Sequence, residues 1–206
     1  MMKRIVVIAL LCVCSGVPAE AQTQGRVSVG GTVSFVQPTD SEVGSLVGFG
    51  PLVRLNPRKG WGIAGGLSWF RADLDNPSGT DGAFARLRVR PLMGGVAYTV
   101  GDQPVLVGFS VVTGPSFNDL DFDDDFVRRL PAGGLTPELG IDNSFAVRPG
   151  VNVTVTVAPR VAIIGFGGYM FNRPGVIYRD SSGQEFRDRW KADAIIFSAG
   201  VVYSLF

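Results

Sequence analysis

Three arginines, Arg86, Arg88 and Arg90, occupy alternate positions of one stretch of the chain. In an extended strand alternate side chains project to the same side, so all three share a face. Arg148 stands on the polar face of a second alternating run. Clustered guanidinium groups can attract anions at a mouth or gate. They can also fill an interior as a charge network, provided carboxylates neutralise them. An unpaired arginine in a narrow interior is costly, which favours the network. Candidate partners lie in Asn118 to Asp125, where Asp119, Asp121, Asp123, Asp124 and Asp125 crowd together. The expectation is a loop that carries Asp123, Asp124 and Asp125 over Arg86, Arg88, Arg90 and Arg148 and plugs the space they line. Asp119, Asp121 and Asp123 have the spacing that starts a calcium loop, but Asp124 replaces the glycine required at loop position six. Leu130 stands where the terminal glutamate belongs. No metal site is assigned, and no cofactor is implied.

Other chemistry is excluded by residue type. The chain has no histidine, which removes Ser-His-Asp and Cys-His nucleophile pairs and histidine-ligated metals. Nineteen basic residues face eighteen acidic ones, so no charge excess argues for nucleic acid as a partner. The 206 residues suffice for one compact domain.

The first 21 residues read as an export signal. Lys3 and Arg4 precede the short apolar run Ile5 to Val13, and Ala19-Glu20-Ala21 forms a small-x-small cleavage site. The apolar run is far short of the roughly 20 residues a spanning helix needs. Both cysteines, Cys12 and Cys14, leave with the signal. Residues 22–206 then carry no disulfide. They lose two bases and one acid, which leaves seventeen of each.

The elements that must position these side chains are strands. From Val147 to Val157 the odd positions are valine or proline and the even positions are Arg148, Gly150, Asn152, Thr154 and Thr156. Period-two alternation of this kind predicts a strand with one apolar and one polar side. Eight strands are expected, near residues 25–36, 45–55, 60–71, 84–100, 105–115, 145–157, 161–172 and 190–206. A bulge is expected where Pro91 to Gly95 interrupts the fourth. Their connections alternate long and short, and the short ones carry proline or glycine. Val176–Asp180 and Gln184–Trp190 around Ser181-Ser182-Gly183 read as a hairpin that extends the last two strands and could bind partners by strand addition.

Two orientations compete. A soluble sandwich or ligand-binding barrel turns its apolar face inward, and a membrane barrel turns it outward. The polar face here is rich in Gly, Ser and Thr and poor in Lys and Glu, which suits a cramped interior. Trp61 and Trp69 lie eight residues apart on one face, roughly 20 Å of height in a tilted strand and close to the ~25 Å apolar band of such barrels. With Tyr98 and Tyr203 at one end, and Phe35, Tyr169, Phe171 and Trp190 at the other, they would form aromatic girdles. Lipid cannot satisfy unpaired backbone groups, so a sheet survives in it only when closed. The sequence therefore predicts an all-β, eight-stranded antiparallel up-and-down transmembrane β-barrel.

The terminal residues strengthen that reading. Gly200, Tyr203 and Leu205, followed by the aromatic Phe206, resemble the C-terminal assembly signal of bacterial outer-membrane proteins, with one residue beyond the alternation. Residues 22–206 resemble the small OmpA/OmpX-type outer-membrane β-barrel domain family. The resemblance implies a place in the outer membrane, contact with its lipid, and insertion by the barrel-assembly machinery. Enzymatic barrels similar in fold rely on a catalytic histidine that is missing here. The expected role is non-enzymatic, envelope-structural or adhesive through long outer loops. A narrow passive pore and a secreted soluble binder are the alternatives. No surface ligand is indicated.

Overall fold

A computed structural model describes residues 27–39, 44–75, 83–122, 138–179 and 184–205. The signal region, Asp123, Asp124, Asp125 and Phe206 lie outside the described residues. Twelve strands follow in order. They are β1 (Val27–Pro38), β2 (Leu46–Leu55), β3 (Gly60–Leu67), β4 (Trp69–Asp75), β5 (Ala83–Asp102), β6 (Val105–Phe122), β7 (Glu138–Ile141), β8 (Ser144–Ala158), β9 (Val161–Met170), β10 (Gly175–Arg179), β11 (Glu185–Arg189) and β12 (Ala194–Ser204).

Nine of them close into a ring. β1 pairs with β12, then β9, β8, β6 and β5 follow, β5 pairs with both β3 and β4, and β2 returns to β1. Every pairing is antiparallel. β3 and β4 are two pieces of one stave that breaks at Ser68, so the barrel has eight staves. The tight turns obey local chemistry. Gly60 and Gly101 adopt φ of 103° and 96°, a region that glycine occupies without a Cβ clash. At the same turn as Gly60, Asn56 donates from Nδ2 to the Trp61 carbonyl at 2.6 Å.

The apolar side of the wall faces out. On β8, Val153 is 41% exposed, whereas Asn152 and Thr154 are 6% and 2% exposed. Phe35, Phe49, Ile63, Phe109, Ile163, Phe197 and Val201 are exposed in the same way on other staves. Membrane β-barrels carry an apolar outer belt of this kind. Among the described residues no helix is long and apolar enough to cross a membrane.

Three features differ from the sequence reading. Pro91 to Gly95 forms no bulge. β5 and β6 keep one register on both sides of the proline, with Pro91 opposite Ser116 and Gly94 opposite Thr113. The missing N–H is met by a gap in the ladder. Irregularities fall instead between Leu74 and Asp75 and between Thr156 and Ala158. Next, β6 runs on to Phe122, well past the anticipated end at Pro115. Finally, β7 joins the β10–β11 hairpin as a third strand that the sequence reading did not include.

Candidate functional site

The inside of the barrel is layered. At the end bearing the short turns, Ser28 and Ser204 share a hydrogen bond of 3.1 Å. Arg54 donates from Nη1 to Thr154 Oγ1 at 2.9 Å and from Nη2 to Asn152 Oδ1 at 3.4 Å. Asn152 in turn donates to the Gly108 carbonyl at 3.2 Å. Arg54 is only 3% exposed. Slightly higher, Ser34 and Ser198 pair at 2.7 Å, and the Arg148 guanidinium lies 5.1 Å over the Phe166 ring. The buried Arg148 Nε has no hydrogen-bond partner. Among the described residues neither Arg54 nor Arg148 meets a carboxylate. A cavity of about 70 Å³ separates these groups, with Thr32, Ser110 and Met93 also on its wall.

Above this polar layer the interior is apolar. Val36, Leu46, Phe70, Leu87, Met93, Val112, Ala146, Met170, Ala194 and Ile196 form one buried cluster, with Phe166 and Trp190 packed against it. A second cavity of about 30 Å³ opens among Val36, Leu46, Phe70, Leu87, Met170 and Trp190. The outer rim is then tied together by polar side chains. Ser116 donates to Asn118 Oδ1 at 2.9 Å, Asn118 donates to Ser144 Oγ at 3.0 Å, and Ser144 donates to Asn172 Oδ1 at 2.6 Å. The Asn172 amide donates to the buried Asp193 carboxylate at 3.0 Å. Thr39 closes the chain by donating to the Asp193 carbonyl. Five staves are thereby joined around the mouth.

The wall is unevenly paired where the two layers meet. The β2 ladder passes from Phe49–Trp69 to Leu52–Gly66 and skips Gly50 and Pro51. The β5–β6 ladder skips Leu92 and Met93 opposite Gly114 and Pro115. Prolines cannot donate to a ladder, and Pro51, Pro91 and Pro115 all sit at this level. A Cβ on Gly50 or Gly114 would strike the Leu67 or Leu92 carbonyl, so close backbone contact replaces hydrogen bonds there.

The anticipated charge network is corrected. Arg148 does line the interior, but Arg86, Arg88 and Arg90 point outward. On β5 the buried positions are Ala85, Leu87, Pro91, Met93, Ala97 and Thr99, the opposite parity. The reason is length. β5 has 20 residues, about twice what a tilted span requires. Its upper half stands clear of the apolar belt, and there the outer surface is polar and the interior apolar. Two of the candidate aspartates, Asp119 and Asp121, do meet these arginines, on the outer surface. Arg88 Nη1 meets Asp119 at 3.0 Å and Asp121 at 3.3 Å, and Arg90 meets Asp119 at 3.7 Å.

The aromatic positions divide. Trp61 packs on Tyr98 with centroids 5.2 Å apart, both outward near the short turns. Tyr203 is exposed outward on β12. Trp69 packs on Phe49 at 5.6 Å and Tyr169 on Phe171 at 4.7 Å, at the other end of the belt. Trp190 is not a girdle residue, because it packs against the interior apolar cluster. Of the terminal residues, Leu205 faces outward, and Gly200 lies where a Cβ would strike the Gly31 carbonyl.

Arg54 was missed, although the signal was present. Val47, Phe49, Pro51, Val53 and Leu55 alternate as an outward apolar face, which places Arg54 inside. The apolar inner face of the upper half had no such signal, because its residue types match those of a lipid-facing strand.

Comparison with solved structures agrees with this geometry. The outer-membrane protein OprG from Pseudomonas aeruginosa superposes with a TM-score of 0.72 at 14% identity over 88% of this chain and 98% of that one. The fold is that of a small outer-membrane β-barrel. Outer membrane protein W of E. coli matches with a TM-score of 0.54 at 17% identity, over 89% of this chain and all of that one. AlkL, solved in lipid bilayers, matches at 0.55 and 14%, over 92% and 95%. No protein-family model matches the sequence. No curated protein matches it either.

Proposed function

We propose that this barrel resides in the outer membrane and admits small apolar molecules into the outer half of its interior. The carrying observation is the change of lining: Val36, Phe70, Leu87, Met170 and Ile196 above, Arg54, Asn152 and Thr154 below. An apolar solute gains by entering the upper layer. It would have to displace hydrogen-bonded polar groups to go further. The unevenly paired wall around Pro51, Pro91 and Pro115 lies at the floor of the apolar layer and offers the solute a sideways exit into the surrounding lipid. The role is non-enzymatic. Contact with outer-membrane lipid through the apolar belt, and assembly by the barrel-assembly machinery through Gly200, Tyr203, Leu205 and Phe206, belong to the same proposal.

Binding of the apolar dye 1-aminoanthracene to the folded protein tests it. The expected result is saturable binding that falls when Trp190 is replaced by Ala and when Met170 is replaced by Glu, with ion conductance across a planar bilayer at baseline. Ohmic conductance without dye binding would favour the passive pore instead.

A second reading has its own observation. β11 is exposed along its whole length and, among the described residues, pairs with β10 alone, an edge of the kind that accepts a strand from a surface partner. Replacing Phe186 by Pro should abolish such adhesion and leave dye binding unchanged.

A further inference from the structure

The outward arginines of β4 and β5 take no part in the interior, yet they are arranged as a site. A groove of about 490 Å³ runs along the outer wall between β2, β4 and β5, lined by Val47, Phe49, Trp69, Arg71, Arg88 and Arg90. Arg71 stands directly across the ladder from Arg88. Like charges directly opposed on a sheet are destabilising. Among the described residues Arg71 has no carboxylate partner. Asp119 and Asp121, which meet Arg88 and, in the case of Asp119, Arg90, lie on β6, the far side of the arginines from the groove. Among the described residues no carboxylate lines the groove itself. It therefore presents arginine side chains to whatever enters, with the tilted Phe49–Trp69 ring pair beneath them.

Below that aromatic pair the wall continues as a second depression, of about 640 Å³. Its outward residues include Gly31, Val33, Phe49, Pro51, Trp69 and Ala199. The two grooves share Phe49 and Trp69. The upper one is cationic, and the lower one lies in the apolar belt.

We propose that this surface binds a phosphate-bearing acylated lipid of the outer leaflet, its phosphate between Arg71, Arg88 and Arg90 and an acyl chain in the trough below. Arginine matches phosphate through paired N–H donors. A bound phosphate also gives Arg71 the anionic partner that Arg88 already has in Asp119 and Asp121. The height is right for a headgroup: Trp69 marks the outer edge of the apolar belt, and the arginines begin two residues above it. A free phosphate ion would use the arginines alone and would leave the apolar trough empty. The proposal rests on the outer-membrane placement above.

Native mass spectrometry of the full chain, in detergent micelles doped with bisphosphorylated lipid A or with the same lipid dephosphorylated, tests it. The expected result is retention of lipid A and not of its dephosphorylated form, with inorganic phosphate failing to compete at millimolar concentration. Arg71→Gln and Arg88→Gln should each lower retention about fivefold, the equivalent of the ~1 kcal/mol that a basic side chain gains at an anionic surface. Trp69→Ser should lower it as well. Raised salt should release the lipid from the unaltered protein, a readout that needs no variant. Equal retention of both lipids, competition by inorganic phosphate, or unchanged retention in Arg71→Gln with Arg88→Gln would overturn the proposal. Heat-modifiable migration on gels reports folding of each variant. Insertion into vesicles is measured separately, so a protein that holds lipid A but does not insert contradicts the membrane placement and not the lipid site.

Discussion

Arg54 and Arg148 inside the barrel, and Arg71, Arg88 and Arg90 outside it, are the same residue type in opposite surroundings. The inner pair is held by neutral hydroxyl and amide groups and by one aromatic ring. The outer group keeps its guanidinium heads at the solvent, and two of its members reach aspartates. The difference shows that a barrel wall has no fixed inside-out rule. Polarity of each face follows what lies beside it at that height. On β5 the outward face changes from Arg90 to Leu92 within one alternation step, at the upper edge of the apolar belt. The inward face changes in the reverse sense, from Leu87 and Met93 above to Thr99 below.

The largest effect should come from inverting the upper interior. Ile196 is fully buried in the apolar cluster. Ile196→Lys places an unpaired charge there and should cost about 3–5 kcal/mol, seen as loss of the heat-modifiable folded form and an earlier urea midpoint. A midpoint unmoved by that change would mean water fills the upper lumen.

The two arginine groups should next respond with opposite signs. Arg148→Met removes a buried cation whose Nε lacks a partner and should raise unfolding stability by about 1 kcal/mol. Arg88→Met removes exposed ion pairs and should lower it by less than about 1 kcal/mol. Urea unfolding in one lipid decides the signs. Two changes of equal sign would erase the contrast drawn between the groups.

The smallest effect lies outside the barrel. Hydrogen bonds from Arg187 at 2.6 Å and Arg179 at 2.9 Å hold the Glu185 carboxyl below its ordinary pKa. A depressed carboxyl adds stability above the ordinary glutamate range and loses it as pH falls through the depressed value. Relative to the intrinsic amide rate at each pH, hydrogen exchange of the β10–β11 amides should therefore speed up on acidification. In Glu185→Gln it should be faster at neutral pH and show less of that acid response.

Much of the architecture was legible because lipid and lumen impose opposite demands along every residue pair of a spanning strand. The run from Val147 to Val157 states both faces outright, and the valines and phenylalanines of β1 and β12 repeat it. Legibility ended where the strands leave the membrane. Arg86, Arg88 and Arg90 follow the same alternation as Leu92, Val96 and Tyr98, but period alone does not say which side is wet. Trp190 was misplaced for a related reason, since an aromatic residue at a strand end can mark a girdle or close an apolar interior. β7 is too short to show a period. Arg54 needed only the parity of β2, which its neighbours supply.

Orientation of the wall is most directly tested by a pair of spin labels on β8. No cysteine follows residue 21, so Val153→Cys and Thr154→Cys can each be labelled alone in the protein reconstituted in vesicles. The label at 153 should relax strongly with lipid-dissolved oxygen and weakly with an aqueous nickel chelate, and the label at 154 should be shielded from the lipid phase. The reverse pattern, with 154 in lipid and 153 enclosed, would contradict the account at its base.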